Sequence, residues 1–372
     1  MIKYKVIGIM SGTSLDGLDI AYCEFIKNRK WKYKIIYSET IKYNKEWKKK
    51  LSGAFKMKKS GLKRLDEEYG KFIGNKILDF IGRNKISPDF ISSHGHTVFH
   101  QPEKKITLQI GDGEAIASVC KLQVVCDFRS GDVFLGGQGA PLVPMADKLL
   151  FPEYDFCLNL GGIANISFDN IKGERIAFDI CPANMVLNHL ANKLGKEFDK
   201  GGKIASKGNL NEELLGKLNA LPFYKIKPPR SLGREWIEKN FISILDTLGI
   251  PVQDKLRTVV EHIAIQIASV VNSTFYILHS TLFVTGGGAY NDFLIKRISF
   301  YAKCSEGVHP DKIILPNDKT IQFKEAMAFA LLGVLKMRGE INILRSVTGA
   351  KRDSSGGRIY FPNQNAASSS KN

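Results

Sequence analysis

The N-terminal third of the chain begins with three apolar-rich runs separated by short polar turns. Residues 4–10 are typical of a buried strand, residues 18–26 of its hairpin partner and residues 33–41 of a third strand. Strands joined by turns this short pair antiparallel. Apolar residues then recur at three- and four-residue spacing across 61–83, which predicts an amphipathic helix. The chain therefore starts as an antiparallel sheet followed by a long helix.

Shorter elements follow this helix. Residues 89–93 and 106–110 are typical of strands, and residues 113–120 of a helix. A comparable order then recurs: we predict strands at 155–160, 163–168, 174–179 and 281–285, and helices at 182–194, 254–278, 290–302 and 324–338. Each half begins with a strand, a glycine turn and a hairpin, so we predict a duplicated α/β domain.

Two long loops, at about 196–212 and 220–234, interrupt this pattern; both lids and plain surface excursions have this length. The chain has 372 residues, of which 44% are hydrophobic, and single cores stop growing at roughly 250–300 residues. Two domains are therefore expected, with a ligand cleft between them. We assign residues 1–133 plus about 340–362 to domain I and 134–339 to domain II, and expect 363–372 to be a disordered tail.

The chain is basic, with a formal net charge of +17, and much of the excess lies in residues 27–85. No zinc-finger, RRM or KH signature accompanies these lysines. A lysine-rich solvated surface explains the charge better than nucleic-acid binding, so we expect no nucleic-acid partner.

Six cysteines are present without a CxxC pair, which fits a reducing compartment. No apolar run approaches the roughly 20 residues of a membrane span, and the apolar start is too short for a signal peptide. We expect a soluble cytoplasmic protein with no membrane partner.

Three small-residue turns are candidates for phosphate binding. In the first, Ser11 to Asp19, a strand enters a Gly/Ser/Thr turn where backbone N–H groups can approach an anion and where Asp16 and Asp19 can hold Mg²⁺. An ordinary Asp-Gly hairpin is the alternative. Gly161-Gly162 repeats this arrangement, again with a plain hairpin as the alternative.

The third turn, Gly286-Gly287-Gly288, lies between a strand and a helix, where the helix N-terminus favours an anion. It is neither a Walker A loop nor a GxGxxG fingerprint. Three consecutive glycines are costly in conformational entropy, which favours nucleotide contact over a purely structural turn.

Two acidic residues are candidates for catalysis. Asp179 is predicted at the carboxyl end of a strand, with Pro182 at the first helical position, where it can deprotonate a hydroxyl or a water. A carboxylate that merely begins the helix is the alternative. Glu325 is predicted in the first turn of a helix, where the helix dipole alone favours an acid.

The segment 127–147 is unusually rich in glycine and polar residues. Arg129 can bind a carboxylate or phosphate through two hydrogen bonds, and Asp132 and Gln138 can bind sugar hydroxyls. His94, His96 and His100 lack a third-ligand pattern for a metal, so we predict neutral histidines in a polar ligand pocket.

Taken in order, seven segments resemble the anhydro-N-acetylmuramic acid kinase family, over residues 5–362. They are MSGTSLDGLD, SHGHTVFHQP, DFRSGD with GGQGAPLVP, NLGGIANIS, FDICPAN, VTGGGAYN and KEAMAFALLG. The resemblance implies a two-domain actin-like fold (ribonuclease H-like, as in sugar kinases, Hsp70 and actin) with ATP and sugar in the interdomain cleft. It also implies a peptidoglycan-recycling kinase that converts 1,6-anhydro-N-acetylmuramic acid, water and ATP to N-acetylmuramic acid 6-phosphate and ADP.

The resemblance implies specific roles. Asp179 matches the general base and Glu325 a second acid near the attacking water. The predicted nucleotide contacts are Ser11, Gly12, Thr13, Ser14, Leu15, Asp16, Gly17, Leu18, Asp19, Gly161, Gly162, Asn165, Gly286, Gly287, Gly288 and Asn291, with Mg²⁺ at Asp16 and Asp19. The predicted sugar contacts are His94, Thr97, Arg129, Asp132, Gln138 and Asn184. The family also suggests a homodimer.

The chain departs from the family pattern at three places. Ile180-Cys181 replaces Thr-Gly after the base, His96 stands where Gln is frequent, and Gly131 where a basic residue is frequent. We expect an active enzyme with altered rate or sugar selectivity. The alternatives are another actin-like kinase or phosphatase acting on a different sugar or small acid, or a nucleotide-driven binding or filament protein of the same fold.

Overall fold

A computed structural model describes residues 2–12, 15–273, 281–303 and 313–362. Thr13, Ser14, Cys304 and the predicted tail lie outside these ranges. Contacts divide the chain into a first unit, residues 1–150 with 323–372, and a second unit, residues 151–322.

The strands fall into two mixed sheets, one in each unit. In chain order they are β1 Ile2–Ser11, β2 Gly17–Lys27, β3 Trp31–Lys42, β4 Phe90–Gln101, β5 Ile106–Ile110, β6 Val124–Cys126, β7 Phe156–Leu160, β8 Ile163–Asp169, β9 Arg175–Pro182, β10 Leu282–Thr285, β11 Ile313–Ile314 and β12 Arg358–Tyr360.

The two sheets share one strand order. The first runs β12-β6-β4-β1-β2-β3, with β5 paired to β4, and the second runs β11-β10-β7-β8-β9. In each sheet an antiparallel three-stranded meander comes first, and a later strand then pairs parallel to its first member, β4 with β1 and β10 with β7. The predicted duplicated α/β fold of the actin-like class is therefore confirmed.

The helices of the described residues lie between these strands along the chain. They are α1 Lys45–Gly53, α2 Lys59–Asn84, α3 Gly113–Cys120, α4 Ser130–Phe134, α5 Val143–Leu150, α6 Asn184–Asn192, α7 Glu212–Asn219, α8 Arg234–Trp236, α9 Ser243–Thr247, α10 Val252–Ser273, α11 Asp292–Lys303, α12 Asp318–Met337 and α13 Arg345–Thr348. A π-helical stretch, Ile237–Ile242, joins α8 to α9.

Close backbone contact holds α12 against the first sheet. A Cβ built on Gly8 in β1 would lie 2.0 Å from the carbonyl oxygen of Ala326, so only glycine permits this approach. The Ser92 hydroxyl in β4 donates to the Phe329 carbonyl at 2.5 Å. Residues 323–337 are therefore part of the first unit.

The unit boundaries differ from the domain boundaries drawn from the sequence. Residues 134–150 and 323–339 lie in the first unit rather than in domain II. The reason is packing that no local pattern records: α5 contacts β3, and α12 contacts β1 and β4. The backbone of α12 departs from helical geometry at Phe323, the residue at which the chain re-enters the first unit.

Three local expectations need correction. Pro182 does not begin a helix: it pairs with Ile163 as the last residue of β9, and α6 starts at Asn184. Asp179 accordingly lies inside β9 rather than at its end. Glu325 lies beyond the first turn of α12, because that helix begins at Asp318.

The long predicted loops contain short helical turns, at Lys200–Gly202, Ala205–Lys207 and Pro222–Lys225. Within the described ranges, none of the helices has the length and apolarity needed to cross a bilayer.

Candidate active site

Arg129 and His94 form the centre of a polar group in the first unit. Arg129 Nε donates to His94 Nε2 at 2.9 Å, and Arg129 Nη1 donates to the Gly139 carbonyl at 2.6 Å. His94 Nδ1 lies 3.0 Å from the Gly95 carbonyl, which can only accept, so Nδ1 carries the proton. Burial, with the Arg129 charge, holds the pKa of His94 well below its usual value, as the prediction of a neutral histidine requires.

Glu325 lies close enough to Arg129 to interact with its charge, and Asp19 in turn lies close enough to Glu325 to do so. The pKa of Glu325 is raised by burial and by repulsion from Asp19, and the charges of Lys324 and Arg129 oppose that rise. Burial also raises the pKa of Asp19, whose Oδ1 accepts from Thr40 Oγ1 at 2.6 Å. The structure therefore groups Arg129, His94, Asp19 and Glu325, four of the predicted residues.

Ser11 lies inside the protein, with its side chain 1% exposed. Its hydroxyl shares hydrogen bonds with Tyr43 Oη at 2.8 Å and with His96 Nδ1 at 3.1 Å. Burial lowers the pKa of His96 to about 4, so this ring is neutral. His96, one of the departures from the family pattern, thus supports the end of β1 from within the core.

Asp132, predicted to bind sugar hydroxyls, is fully buried and uses both carboxylate oxygens internally. Oδ2 accepts from the Gly139 amide at 2.7 Å, and Oδ1 accepts from Thr348 Oγ1 at 2.8 Å. The residue therefore ties the glycine-rich segment to α13 instead of presenting its carboxylate to a ligand. Gln138, by contrast, is exposed, and Thr97 is partly buried beside Gln109.

Among the other described residues of the first turn, Gly17 and Leu18 open β2, and Gly12, Leu15 and Asp16 precede it. Gly17 and Leu18 are buried strand residues, whereas Gly12 and Asp16 reach the surface. Leu15 adopts φ 60°, a left-handed conformation that costs energy for a side chain of this size. Within the described part of the chain, no three His, Cys, Asp or Glu side chains come together as a metal site.

A row of polar residues crosses the second sheet. Cross-strand pairing places Thr285 of β10 beside Asn159 of β7, Asn159 beside Asn165 of β8, and Asn165 beside Asp179 of β9. Asn165 and Asp179 were predicted as site residues, and Asn159 was not. The signal for Asn159 was its place directly before Leu160-Gly161-Gly162, at the end of a buried strand.

A β-bulge sets the direction of Asp179. Ala164 pairs with Cys181 and Asn165 pairs with Asp179, so Ile180 is an extra residue in β9. Bulges re-aim neighbouring side chains and are frequent beside active sites. Ile180 and Cys181 are both fully buried. The family departure Ile180-Cys181 therefore changes the core behind Asp179.

The two oxygens of the Asp179 carboxylate have different surroundings. Oδ2 accepts from the Leu232 amide at 2.8 Å, whereas among the described residues no protein group donates to Oδ1. Burial raises the pKa of Asp179 to about 6, against the lowering effects of the Leu232 hydrogen bond and the Arg230 charge. Asp179 is thus ionised at neutral pH and more basic than an ordinary aspartate.

Residues 230–232 run beside Asp179, and this contact is not predictable from the sequence pattern. The Asp179 amide donates to the Arg230 carbonyl at 3.0 Å, and Arg230 Nε donates to the Asp179 carbonyl at 3.2 Å. The sequence predicts this segment as part of a loop, either a lid or a surface excursion. Its proline pair was the one visible signal that it holds a fixed shape.

The glycines of the second and third turns have different structural roles. A Cβ on Gly286, where φ is 81°, would lie 2.7 Å from Asn159 Oδ1, and one on Gly288 would lie 2.6 Å from the Leu160 Cβ. Gly287 is exposed, and a Cβ there meets nothing closer than 3.7 Å. Close packing on β7 thus requires Gly286 and Gly288 but not Gly287.

Gly161 and Gly162 hold the start of α6. The Gly162 carbonyl accepts from the amides of Ala183 and Met185, and the Gly161 carbonyl accepts from the Asn184 amide. Asn184 Nδ2 in turn donates to the Leu160 carbonyl at 2.9 Å. Asn184, predicted as a sugar contact, therefore sits between the second and third turns.

Asn291, predicted as a nucleotide contact, begins α11. Its Oδ1 accepts from the Leu294 amide at 3.0 Å, which is the hydrogen bond of a helix N-cap. A buried cap explains this side chain without a ligand.

Comparison with known proteins identifies one family that matches nearly the whole chain. A model of one family, described as anhydro-N-acetylmuramic acid kinase, matches residues 4–362. Curated proteins of that name from Vibrio parahaemolyticus and Coxiella burnetii are each 34% identical to this chain. The first alignment covers 96% of this chain and 98% of the relative, and the second covers 97% and 98%.

Solved structures resemble the chain more distantly. The activator of 2-hydroxyisocaproyl-CoA dehydratase from Clostridium difficile is 14% identical, with a TM-score of 0.43, and the match covers 88% of this chain and 93% of that one. The ROK hexokinase from Thermus thermophilus is 13% identical, with a TM-score of 0.37 and coverage of 90% and 99%.

Proposed function

The chain belongs to the anhydro-N-acetylmuramic acid kinase family, and on that premise we propose how its residues carry out the reaction. The enzyme uses ATP to phosphorylate an amino sugar. It converts 1,6-anhydro-N-acetylmuramic acid, water and ATP to N-acetylmuramic acid 6-phosphate and ADP. The observation that carries the assignment of roles is the Asp179 carboxylate, with one oxygen held by the Leu232 amide and a pKa of about 6.

Asp179 is the general base in this proposal. Its Oδ1 accepts a proton from water as the water oxygen attacks the anomeric carbon. The bond between that carbon and O6 breaks, and O6 takes the γ-phosphoryl group of ATP as ADP leaves. A base is most effective when its pKa lies near the working pH, and a pKa of about 6 serves that role better than an ordinary aspartate does.

Arg129 binds the lactate carboxylate of the sugar or a phosphate. Its Nε and Nη1 are held by His94 and by the Gly139 carbonyl, so the guanidinium is oriented before a ligand arrives. An oriented donor loses less entropy on binding than a free one. The resemblance assigns Glu325, whose pKa is raised, the role of a second acidic group.

The glycine turns are the proposed nucleotide contacts. Gly287 is exposed and unobstructed, so its backbone N–H can approach a phosphate oxygen closely. Phosphoryl transfer depends mainly on positioning and on neutralising the phosphate charges.

Mg²⁺ fits the acidic side chains of the first turn. Asp19 carries a raised pKa, partly because Asp16 repels its charge, and a hard cation with oxygen ligands relieves such repulsion. Asp16 and Asp19 would hold the ion, directly or through water. When bound, Mg²⁺ neutralises charge on the ATP phosphates.

We also propose a cytoplasmic location, since the described cysteines are all free and buried and the enzyme needs ATP. The homodimer and the absence of a nucleic-acid partner stay predictions.

One assay tests the function. Purified protein is incubated with Mg-ATP and 1,6-anhydro-N-acetylmuramic acid, and ADP release and phosphosugar mass are followed. Product made in H₂¹⁸O is expected to carry label at C1. Unlabelled C1 would show that ring opening does not use water, and ADP release with other sugars alone would identify a different sugar kinase.

A further inference from the structure

Arg230 fixes segment 222–232 in place through hydrogen bonds to backbone carbonyls. Nη1 donates to the carbonyls of Phe223, Tyr224 and Ile226 at 3.1–3.4 Å, and Nε donates to the Asp179 carbonyl at 3.2 Å. The guanidinium also lies over the Phe223 ring, 4.8 Å from its centroid. The Arg230 side chain thus joins segment 222–232 to β9 at Asp179, the proposed base.

The other end of this connection is a buried hydrogen-bond chain. Tyr224 Oη donates to His262 Nε2 at 2.7 Å, and His262 Nδ1 donates to Asn219 Oδ1, also at 2.7 Å. Asn219 Oδ1 is an amide oxygen and also accepts from Gln266 Nε2, so His262 Nδ1 must carry the proton and Nε2 must accept from Tyr224. His262 is fully buried, and burial lowers its pKa to about 3, so the ring stays neutral. Segment 222–232 is therefore anchored to α7 and α10.

The consequence appears at Leu232, two residues after Arg230. The pairing of residue 230 with β9 brings the Leu232 amide to Asp179 Oδ2. That donor occupies one carboxylate oxygen and leaves Oδ1 as the proton acceptor. Without the Arg230 side chain, three carbonyls lose their shared donor. Among the described residues, the segment then keeps only the hydrogen bond from the Asp179 amide to the residue-230 carbonyl as a tie to β9, beside the Leu232 contact itself.

We propose that Arg230 is a positioning residue for the reaction: it holds residues 223–232 so that the Leu232 amide fixes one oxygen of Asp179 and directs the other to water. This role rests on the proposed function of Asp179 as the base.

The titratable groups near Asp179 are few among the described residues. Arg230 of segment 222–232 and Cys181 of β9 interact with the Asp179 carboxylate, and Tyr224 interacts with Arg230 and Cys181. Burial raises the pKa of the Cys181 thiol and of the Tyr224 phenol, so both are neutral at working pH. Arg230 is the one charged group of the three. Both it and the Leu232 hydrogen bond favour the ionised carboxylate, and therefore their loss raises the pKa of Asp179.

The test compares Arg230→Gln with the wild type over pH 5–9. We expect kcat to fall at least tenfold at pH 7. An upward move of the acidic limb of the kcat profile by about one pH unit accounts for about twofold of this and recovers at pH 9, and the misdirected carboxylate accounts for the rest. KM for ATP should change less than about twofold. A merely structural role lowers the rate at all pH values and does not move the limb.

Two further variants sharpen this test. Arg230→Lys keeps the charge without the guanidinium fork, so its limb should move less than that of Arg230→Gln. Arg234→Gln is the matched control, because Arg234 is exposed and pairs with Glu238, and its profile should match the wild type.

An unmoved limb in Arg230→Gln overturns the proposal. If that variant does not fold, Tyr224→Phe decides, since it removes the anchor to His262 but keeps Arg230; its limb should move up by a smaller amount, and an unmoved limb again overturns the proposal. A wild type that makes no phosphosugar instead overturns the proposed function. In that case a ¹³C-carboxyl NMR titration, assigned with Asp179→Asn, still shows whether Arg230→Gln raises the pKa of Asp179.

Discussion

At the scale of single residues, Asp179 combines burial with only partial hydrogen bonding. A fully exposed aspartate would be a weaker base, and one with all lone pairs satisfied by the protein could not bind water. Burial raises its pKa to about 6, and the single Leu232 donor limits that rise. The same burial makes the ionised carboxylate costly for the folded state, so activity and stability oppose each other at this position.

Asp179→Asn should therefore lower activity and raise stability at neutral pH. We expect turnover to fall by roughly 10²–10⁴ because the base is lost. The folded pKa of about 6 lies above the ordinary aspartate value of 3.8, so the wild type loses stability as pH rises from about 4 through 6. Asparagine has no such dependence. The variant should gain at most about 3 kcal/mol relative to wild type at pH 8, and nothing at pH 4.

Thermal unfolding of both proteins between pH 4 and pH 8 measures this difference. A melting-temperature difference that stays constant across the range contradicts a raised pKa at Asp179. Asp246→Asn serves as the control, because Lys193 lowers the pKa of that carboxylate, so its pH-dependent stability falls mostly below pH 4 and its melting-temperature difference stays nearly constant between pH 4 and pH 8.

At the scale of elements, the third turn separates packing from ligand binding. Gly286 and Gly288 approach β7 too closely for any side chain, whereas Gly287 faces open space. The fold requires glycine at positions 286 and 288 but not at 287. We therefore expect Gly287 to have a role in ligand binding.

Paired alanine substitutions test this separation. Gly286→Ala should lower the free energy of unfolding by about 1–3 kcal/mol or more, and the melting temperature with it. The reasons are the positive φ of Gly286 and its close approach to Asn159. Gly287→Ala should keep the wild-type melting temperature but raise KM for ATP several-fold, since a methyl group there obstructs phosphate approach. Unchanged KM for ATP in Gly287→Ala would remove this turn from the nucleotide site.

The elements themselves were predictable because their periods are strong. The meander of β1, β2 and β3 and the long helix α2 follow directly from alternating and three-to-four spacing. Side-chain roles were harder. Asp132 looked like a sugar ligand, but its partner Thr348 lies 216 residues later in the chain. Arg230 acts through carbonyls of its own turn, and a polar string with two prolines does not show which carbonyls those are.

At the scale of the whole molecule, duplication explains why functional residues follow the same pattern twice. In each sheet the first strand of the meander ends where small residues follow in the sequence, at Ser11-Gly12 and at Leu160-Gly161-Gly162. The parallel pairing beside it reaches further polar residues, with His96 of β4 opposite Ser11 and Thr285 of β10 opposite Asn159. The duplication thus places polar residues at equivalent positions of both sheets, where they can serve different chemical roles.

The net charge of +17 is also a property of the whole molecule, and it predicts how fast substrates arrive. Both ATP and the lactate-bearing sugar are anions, so a positive protein favours their encounter. Raising salt from about 10 to about 100 mM shortens the Debye length from about 30 to about 10 Å. We expect kcat/KM for the sugar to fall several-fold over this range while kcat changes little, because saturating substrate removes the encounter step.

A local variant distinguishes overall charge from one basic patch. Lys56, Lys58 and Lys59 are exposed near the start of α2, and changing all three to glutamine leaves most of the net charge in place. If steering comes from the whole charge distribution, this variant keeps kcat/KM at low salt within about twofold of wild type. A loss as large as that caused by salt would instead assign the attraction to this surface, and salt independence of the wild type would exclude electrostatic steering altogether.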